Sequence, residues 1–183
     1  MHHNDDDPVK EAIKRRNERQ EQNIGILIRQ LSDENPNLRV RSAGALGNIG
    51  DMRGVDPLIA LLSDPVPDVV WVALRALGTI GDSRAFDSIL PCLKSPDRWT
   101  RQGAVQALGD LRDPRAAEYI APLLNDPKKG VRSAAAEALG KLADSRYVPV
   151  LESALGDDEH EVREATRLAL RKLAEEPAFR SGQ

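Results

Sequence analysis

Few residues of this chain could do covalent or metal chemistry, and none stands in a catalytic arrangement. The single cysteine, Cys92, excludes an internal disulfide and a thiolate metal cluster. Met1-His2-His3 could hold Cu(II) or Ni(II) through its amine, amides and the His3 ring, but in "MHHNDDDPVK" it reads as a disordered tail. His160, in the stretch "GDDEHEVR", reads as a solvated loop residue beside Glu161. No Gly-rich phosphate loop, nucleophile elbow or zinc-binding helix is present. The chemistry on offer is recognition. In a chain with only 3% aromatic residues, Trp71 and Trp99 have arginines close by, at Arg75 and Arg98. Tryptophan beside arginine on a surface is the composition of an interface anchor.

What must position these residues is a repeat. "RSAGALGNIGDMRG" (41–54), "VALRALGTIGDSRA" (72–85), "AVQALGDLRDPRA" (104–116) and "AAEALGKLADSRY" (135–147) are variants of one phrase. Ala45, Ala76, Ala107, Ala138 and Ala169 keep a strict 31-residue step, as do Asp51, Asp82, Asp113 and Asp144. A fixed period of this length is the signature of a solenoid. Within each copy the apolar spacing is helical: Val69, Ala73, Ala76, Leu77 and Ile80 share one face, as do Phe86, Ile89, Leu90 and Leu93. Gly50 and Gly81 suit the left-handed end of a helix, and the Asp that follows caps the next one. Each repeat is therefore expected to be helix, tight turn, helix.

The "ALG" helices are small-residue helices that can approach one another closely, while the others carry Leu58, Leu61, Leu62 or Ile89 and Leu93. A stack tight on one side and wide on the other bends, with the "ALG" helices inside. Gly47, Gly78, Gly109 and Gly140 each cost about 1 kcal/mol in a helix interior relative to Ala, which close helix contact would explain. In the fifth copy Arg171 takes that place, as expected where no further repeat packs. "NIGILIRQLSDEN" matches "VDPLIALLSDPV" as the outer helix of a leading half-repeat. The polar "KEAIKRRNERQEQ" before it reads as a capping helix.

"VRSAAAEALGKLADSRYVPVLESAL" resembles the HEAT-like repeats of phycobilisome lyases, and the resemblance covers roughly residues 21–175. It implies an all-α, right-handed α-solenoid of about five 31-residue hairpins whose concave face binds other molecules. The expected organisation is a polar N-terminal extension and capping helix at 1–20, the solenoid at 21–175 and a flexible tail at 176–183. Metal-dependent hydroxylases built on similar repeats carry His-Glu pairs after "VR". Here Val40-Arg41, Trp71-Val72, Gln102-Gly103, Ser133-Ala134 and Glu164-Ala165 stand there, and His160-Glu161 is out of register. HEAT-like DNA glycosylases need a basic concave face, against which Glu137, Glu161 and Glu164 argue.

With other repeats as baseline, departures become legible. The inner-helix slots outside the packing stripe read Val40, Arg41, Gly44; Trp71, Val72, Arg75; Gln102, Gly103, Gln106; Ser133, Ala134, Glu137; Glu164, Ala165, Leu168. The slot before "VR" reads Asn37, Asp68, Trp99, Gly130, Glu161. Both tryptophans thus fall where related repeats face the concave surface. The expected partner-binding patch is Arg41, Trp71, Val72, Arg75, Arg98, Trp99, Gln102 and Gln106. Cys92 aligns with Leu61 and Leu123, so it is expected to be a buried, inert thiol.

Two charge patterns call for partners. In Asp-x-Arg the Asp caps a helix, and the Arg, opposing the helix dipole, is expected to find an acid or a carbonyl in the next hairpin. An acid six residues before an arginine recurs as Asp33/Arg39, Asp126/Arg132 and Asp157/Arg163, whereas Asp64 is followed by Val70 and Ser95 by Arg101. Pairing within a repeat strands Asp64 and Arg101. Pairing each Asp with the Arg of the preceding repeat strands neither and lets Val70 and Ser95 lose their charges together. Stranding one buried charge is the costlier outcome, so the expected pairs are Asp64–Arg39, Asp126–Arg101 and Asp157–Arg132.

Composition narrows function further. A net charge of −3 removes the bulk electrostatic case for nucleic acid. No apolar run reaches the roughly 18 residues of a spanning helix. The polar start does not read as a secretory signal, and one Cys fits a reducing cytoplasm. The expectation is a monomeric, cytoplasmic, non-enzymatic scaffold without cofactor or metal that binds a protein or peptide. The alternative, implied by the resemblance, is a lyase-type or chaperone-like subunit acting on a bilin-bearing protein.

Overall fold

In the computed structural model, residues 8–175 are described, so Met1-His2-His3 and the tail at 176–183 lie outside the described residues. Ten α-helices follow one another, with no strand among the described residues. The inner layer is α2 (Pro36–Ile49), α4 (Pro67–Ile80), α6 (Arg98–Leu111), α8 (Lys129–Leu142) and α10 (His160–Glu175). The outer layer is α1 (Pro8–Gln30), α3 (Val55–Ala60), α5 (Phe86–Ile89), α7 (Ala116–Ile120) and α9 (Val148–Ala154). Successive inner helices pack on one another, α2 on α4, α4 on α6, α6 on α8 and α8 on α10. The result is an all-α solenoid. No described helix is long and apolar enough to cross a membrane.

The inner stack is as tight as its small residues allow. A Cβ placed on Gly47 would lie 2.7 Å from Ala76 Cβ, one on Gly109 2.8 Å from Ala138 Cβ, and one on Gly140 2.8 Å from Ala169 Cα. No real Cβ tolerates such a contact against backbone, so these glycines permit the helix spacing. Arg171, in the fifth slot, is exposed.

The outer layer departs from the expected single helix per repeat. It is broken into short α segments joined to 3₁₀ turns, as at Leu90–Lys94 and Ala121–Asn125. Pro91 and Pro122 stand at the second residue of these two turns. Proline has no amide hydrogen to donate and clashes with the preceding turn, so the α-helix cannot run on through it. At the other end, α1 runs unbroken through residues 20 and 21. It is exposed as far as Asn23 and enters the core at Ile24.

Helix ends follow the caps. Gly50 and Gly81 adopt φ of 72° and 75°, but the same position in the next two repeats holds Arg112 and Ala143 at φ 53° and 54°. A Cβ in this left-handed region costs about 1–2 kcal/mol, so two repeats carry local strain that two do not.

The charged spine has the backward register. Arg39 Nε and Nη2 donate to Asp64 at 2.7 and 2.9 Å, Arg101 to Asp126 at 2.8 and 3.0 Å, and Arg132 to Asp157 at 2.7 and 2.9 Å. Each arginine also donates from Nη1 to a carbonyl six residues back, Asp33, Ser95 or Asp126. Each aspartate further accepts from the backbone amide two residues on, at Val66, Lys128 or Glu159. Ser95 keeps this last role, since its Oγ accepts from Asp97 N, while Val70 fills the vacant arginine place as a buried core residue.

The Asp-x-Arg expectation needs correction. Arg53, Arg84, Arg115 and Arg146 pair with the Asp two residues before them, Asp51, Asp82, Asp113 and Asp144, at 2.9, 2.7, 2.7 and 2.6 Å. The tight turn folds the guanidinium back onto the capping carboxylate, which neutralises it where it stands. Arg53 and Arg84 also reach an acid of the preceding repeat, Glu21 at 3.9 Å and Asp56 at 3.3 Å. Arg53 holds Asp51 well below the usual carboxylate range, at about 2.

Candidate binding face

Three elements carry the residues singled out from the sequence: α2 Arg41, α4 Trp71, Val72 and Arg75, and α6 Arg98, Trp99, Gln102 and Gln106. All lie on inner helices. Arg41, Arg75, Arg98 and Trp99 are exposed, while Trp71, Val72, Gln102 and Gln106 are half-buried. Each indole carries a guanidinium from its own helix, Arg75 at 4.8 Å from the Trp71 ring and Arg98 at 4.4 Å from the Trp99 ring. A cation over an indole face is attracted by the ring quadrupole, at about 0.5–1 kcal/mol on an exposed site.

The two indoles occupy different settings. Trp71 lies against α6, where a Cβ on Gly103 would meet its Cδ1 at 3.1 Å and Leu74 Cδ1 at 3.3 Å. Part of its surface is thus spent on closing the α4–α6 seam. Trp99, 48% exposed, stands in the first turn of α6, whose amide at Thr100 is capped by Asp97 at 2.7 Å. It lines a groove of about 390 Å³ with Arg98 and Gln102, facing Lys128, Lys129 and Gly130 around the start of α8 and Glu159 and Glu161 beyond. Trp71 is not among the lining residues.

The slots after "VR" are less open than expected. Gly103, Ser133, Ala134 and Ala165 are buried. For Gly103 the reason is Trp71 and Leu74 of the preceding inner helix closing over it. Val72 in turn reaches toward Gly44, where a Cβ would meet its Cγ1 at 3.7 Å. The far wall of the Trp99 groove, Lys128 to Gly130 with Glu159 and Glu161, was not picked out from the sequence as part of the site. One signal was visible there: Gly130 stands in the slot that holds Asn, Asp, Trp or Glu elsewhere. Its missing side chain leaves room for the Gln102 amide, whose Oε1 would lie 2.9 Å from a Cβ.

Other candidates are chemically quiet. Cys92 is buried and burial pushes its thiol pKa up, which disfavours the reactive thiolate. His160 is the first residue of α10 and not a loop residue, and it stands exposed 3.7 Å from Glu164. No group of three or more potential metal ligands occurs among the described residues.

Comparison with known proteins agrees with this architecture. HEAT repeats match residues 24–99 and 86–171. The complex of CpcE and CpcF of phycocyanin lyase from Nostoc sp. PCC7120 superposes with a TM-score of 0.76 at 27% identity, over 84% of this chain. The chain spans 66% of that chain's length. An engineered protein superposes with a TM-score of 0.65 at 22% identity over 82% of this chain and 79% of its own. A designed armadillo repeat protein in complex with the peptide (KR)4 gives 0.62 at 19% identity, over 80% of each chain. These last two share the fold alone. No curated protein matches.

Proposed function

Starting from the fact that the chain belongs to the HEAT repeat family, we propose that it is a non-enzymatic scaffold holding a protein or peptide partner on its concave, inner-helix face. The observation that carries this reading is the placement of the only two tryptophans. Both stand on adjacent inner helices, neither is fully buried, and each is stacked by its own arginine. The anchor of the site is Trp99 with Arg98 and Gln102 at the groove. Trp71, Arg75, Val72, Arg41 and Gln106 complete it toward the N-terminal repeats. On this reading the protein acts as a cytoplasmic monomer.

The test is a pull-down with wild type and the Trp71→Ala/Trp99→Ala double variant, followed by titration of the captured protein with both. A drop in affinity of about 2 kcal/mol or more is expected, as for hot-spot residues. Equal capture and equal affinity would overturn the reading.

A second reading is favoured by one observation, the similarity to a phycocyanin lyase complex. On it the chain would be a lyase-type or chaperone-like subunit acting on a bilin-bearing protein. Its test is incubation with a bilin and an apo-phycobiliprotein, watching for covalent pigment on the acceptor or for pigment lost from a loaded one. Neither change would leave the scaffold reading alone.

A further inference from the structure

We propose that this face takes one extended partner segment with carboxylates at one end, an apolar or aromatic middle and basic side chains at the other. The inference rests on the binding reading above and adds the chemistry of the occupant. Charge on the inner-helix slots is divided along the array. Arg41 on α2 and Arg75 on α4 are exposed cations in these slots, opposed there by Asp68 in the first turn of α4. Arg98, outside the slots, lies over the Trp99 ring, and its counterpart on α8, Lys129, pairs with Glu159 at 3.3 Å. On α8 and α10 the same slots hold Glu137, Glu161 and Glu164. Glu164 already faces Arg167, so the anionic end rests on Glu137 and Glu161, both exposed. Between the two ends stand Trp71 and Trp99.

Successive inner helices lie about 8–10 Å apart, close to the roughly 8 Å Debye length at physiological salt, so charges on neighbouring helices act together on a bound chain. A wholly acidic segment is repelled by Glu137 and Glu161, and a wholly basic one by Arg41 and Arg75. Five inner helices leave four such gaps, a span that an extended chain of about 12 residues covers at about 3.3 Å per residue.

The experiment is a display library of random peptides about 12 residues long, selected on the full chain and screened against the Trp71→Ala/Trp99→Ala variant. Two charge variants, Arg41→Glu/Arg75→Glu and Glu137→Lys, check each end separately, with circular dichroism confirming that both fold. The expected peptides depend on the tryptophans, segregate acid from base, and weaken about tenfold at low salt with the double arginine reversal, the loss shrinking as salt rises. Glu137→Lys should weaken the same peptides through their basic end. Tryptophan-dependent peptides with one sign of charge or none, indifferent to both variants, would overturn this inference and leave the binding face standing. Selection without any dependence on the tryptophans would overturn the binding face itself, and this inference with it.

Discussion

Arg101 lays its guanidinium fork on the carboxylate of Asp126, 25 residues onward and in the next repeat, with Nε–Oδ2 at 2.8 Å and Nη2–Oδ1 at 3.0 Å. The side chains are 12% and 5% exposed, so the pair is sheltered from water. Asp126→Ala removes this pair and the bond to Lys128 N together, leaving Arg101 held only by the carbonyls of Ser95 and Pro96. Urea unfolding should show a loss of about 3 kcal/mol. Asp33→Ala loses only the bond its carboxylate accepts from Asn35 N, because Arg39 uses the Asp33 backbone carbonyl. That loss should stay near 1 kcal/mol or below. Equal losses would contradict the register.

The vacant rung between Val70 and Ser95 can be refilled. Val70→Arg alone buries a cation without a carboxylate and should destabilise by about 3 kcal/mol. Adding Ser95→Asp supplies the missing partner in the same geometry as Asp126. A double-mutant cycle should give a favourable coupling of at least about 1 kcal/mol, and a coupling of zero would show that the site cannot accept the pair.

Acid should weaken the array through the spine. For Asp64 and Asp126 burial pushes the pKa up, but the arginine and backbone hydrogen bonds outweigh it, and the net direction is down. For Asp157 the Arg132 hydrogen bond dominates, again lowering it. A carboxylate whose folded pKa lies below its unfolded value of about 3.9 stabilises the fold above that value. The contribution fades as pH falls through the folded pKa. Unfolding midpoints should therefore drop between about pH 5 and pH 2, and the drop should be smaller in Asp126→Asn, which has one such carboxylate fewer.

Gly109 reverses the usual rule for helix interiors. Gly→Ala normally gains about 1 kcal/mol there. Here the added methyl would meet Ala138 Cβ at 2.8 Å and Cα at 3.1 Å, so Gly109→Ala should destabilise by about 1–3 kcal/mol. Arg171→Gly, in the equivalent slot of the last repeat, should instead cost about 1 kcal/mol through helix propensity alone. A stabilised Gly109→Ala in thermal melts would refute the close contact.

The tryptophans should separate in stability. Trp71→Ala opens the α4–α6 seam over Gly103 and should cost about 1–2 kcal/mol, whereas Trp99→Ala, at an exposed helix start, should stay within about 0.5 kcal/mol. Denaturant midpoints of the two single variants decide this. The contrast also makes Trp99→Ala the cleaner variant for binding work.

The sequence by itself determined the contacts between inner helices that recur with the period. Each repeat meets its neighbours at one offset, so a 31-residue step in Ala, Gly and Asp is a record of contacts between helices. The glycine contacts and the spine register could be read this way. The register was legible because two departures, Val70 and Ser95, cancel in only one pairing, and the cost of a lone buried charge selects that pairing. Tertiary structure alone decided matters of a few ångströms. Arg53, Arg84, Arg115 and Arg146 had carboxylates available both in their own turn and in an adjacent hairpin, and a turn tight enough to close the first contact settled the choice. Trp71 and Trp99 look alike in sequence. Trp71 covers Gly103 on the next helix, whereas the space beside Gly130 is taken by the Gln102 amide and Trp99 opens on a groove. Such facing relations depend on rotamer and helix spacing, which a single chain's pattern of residue types does not encode.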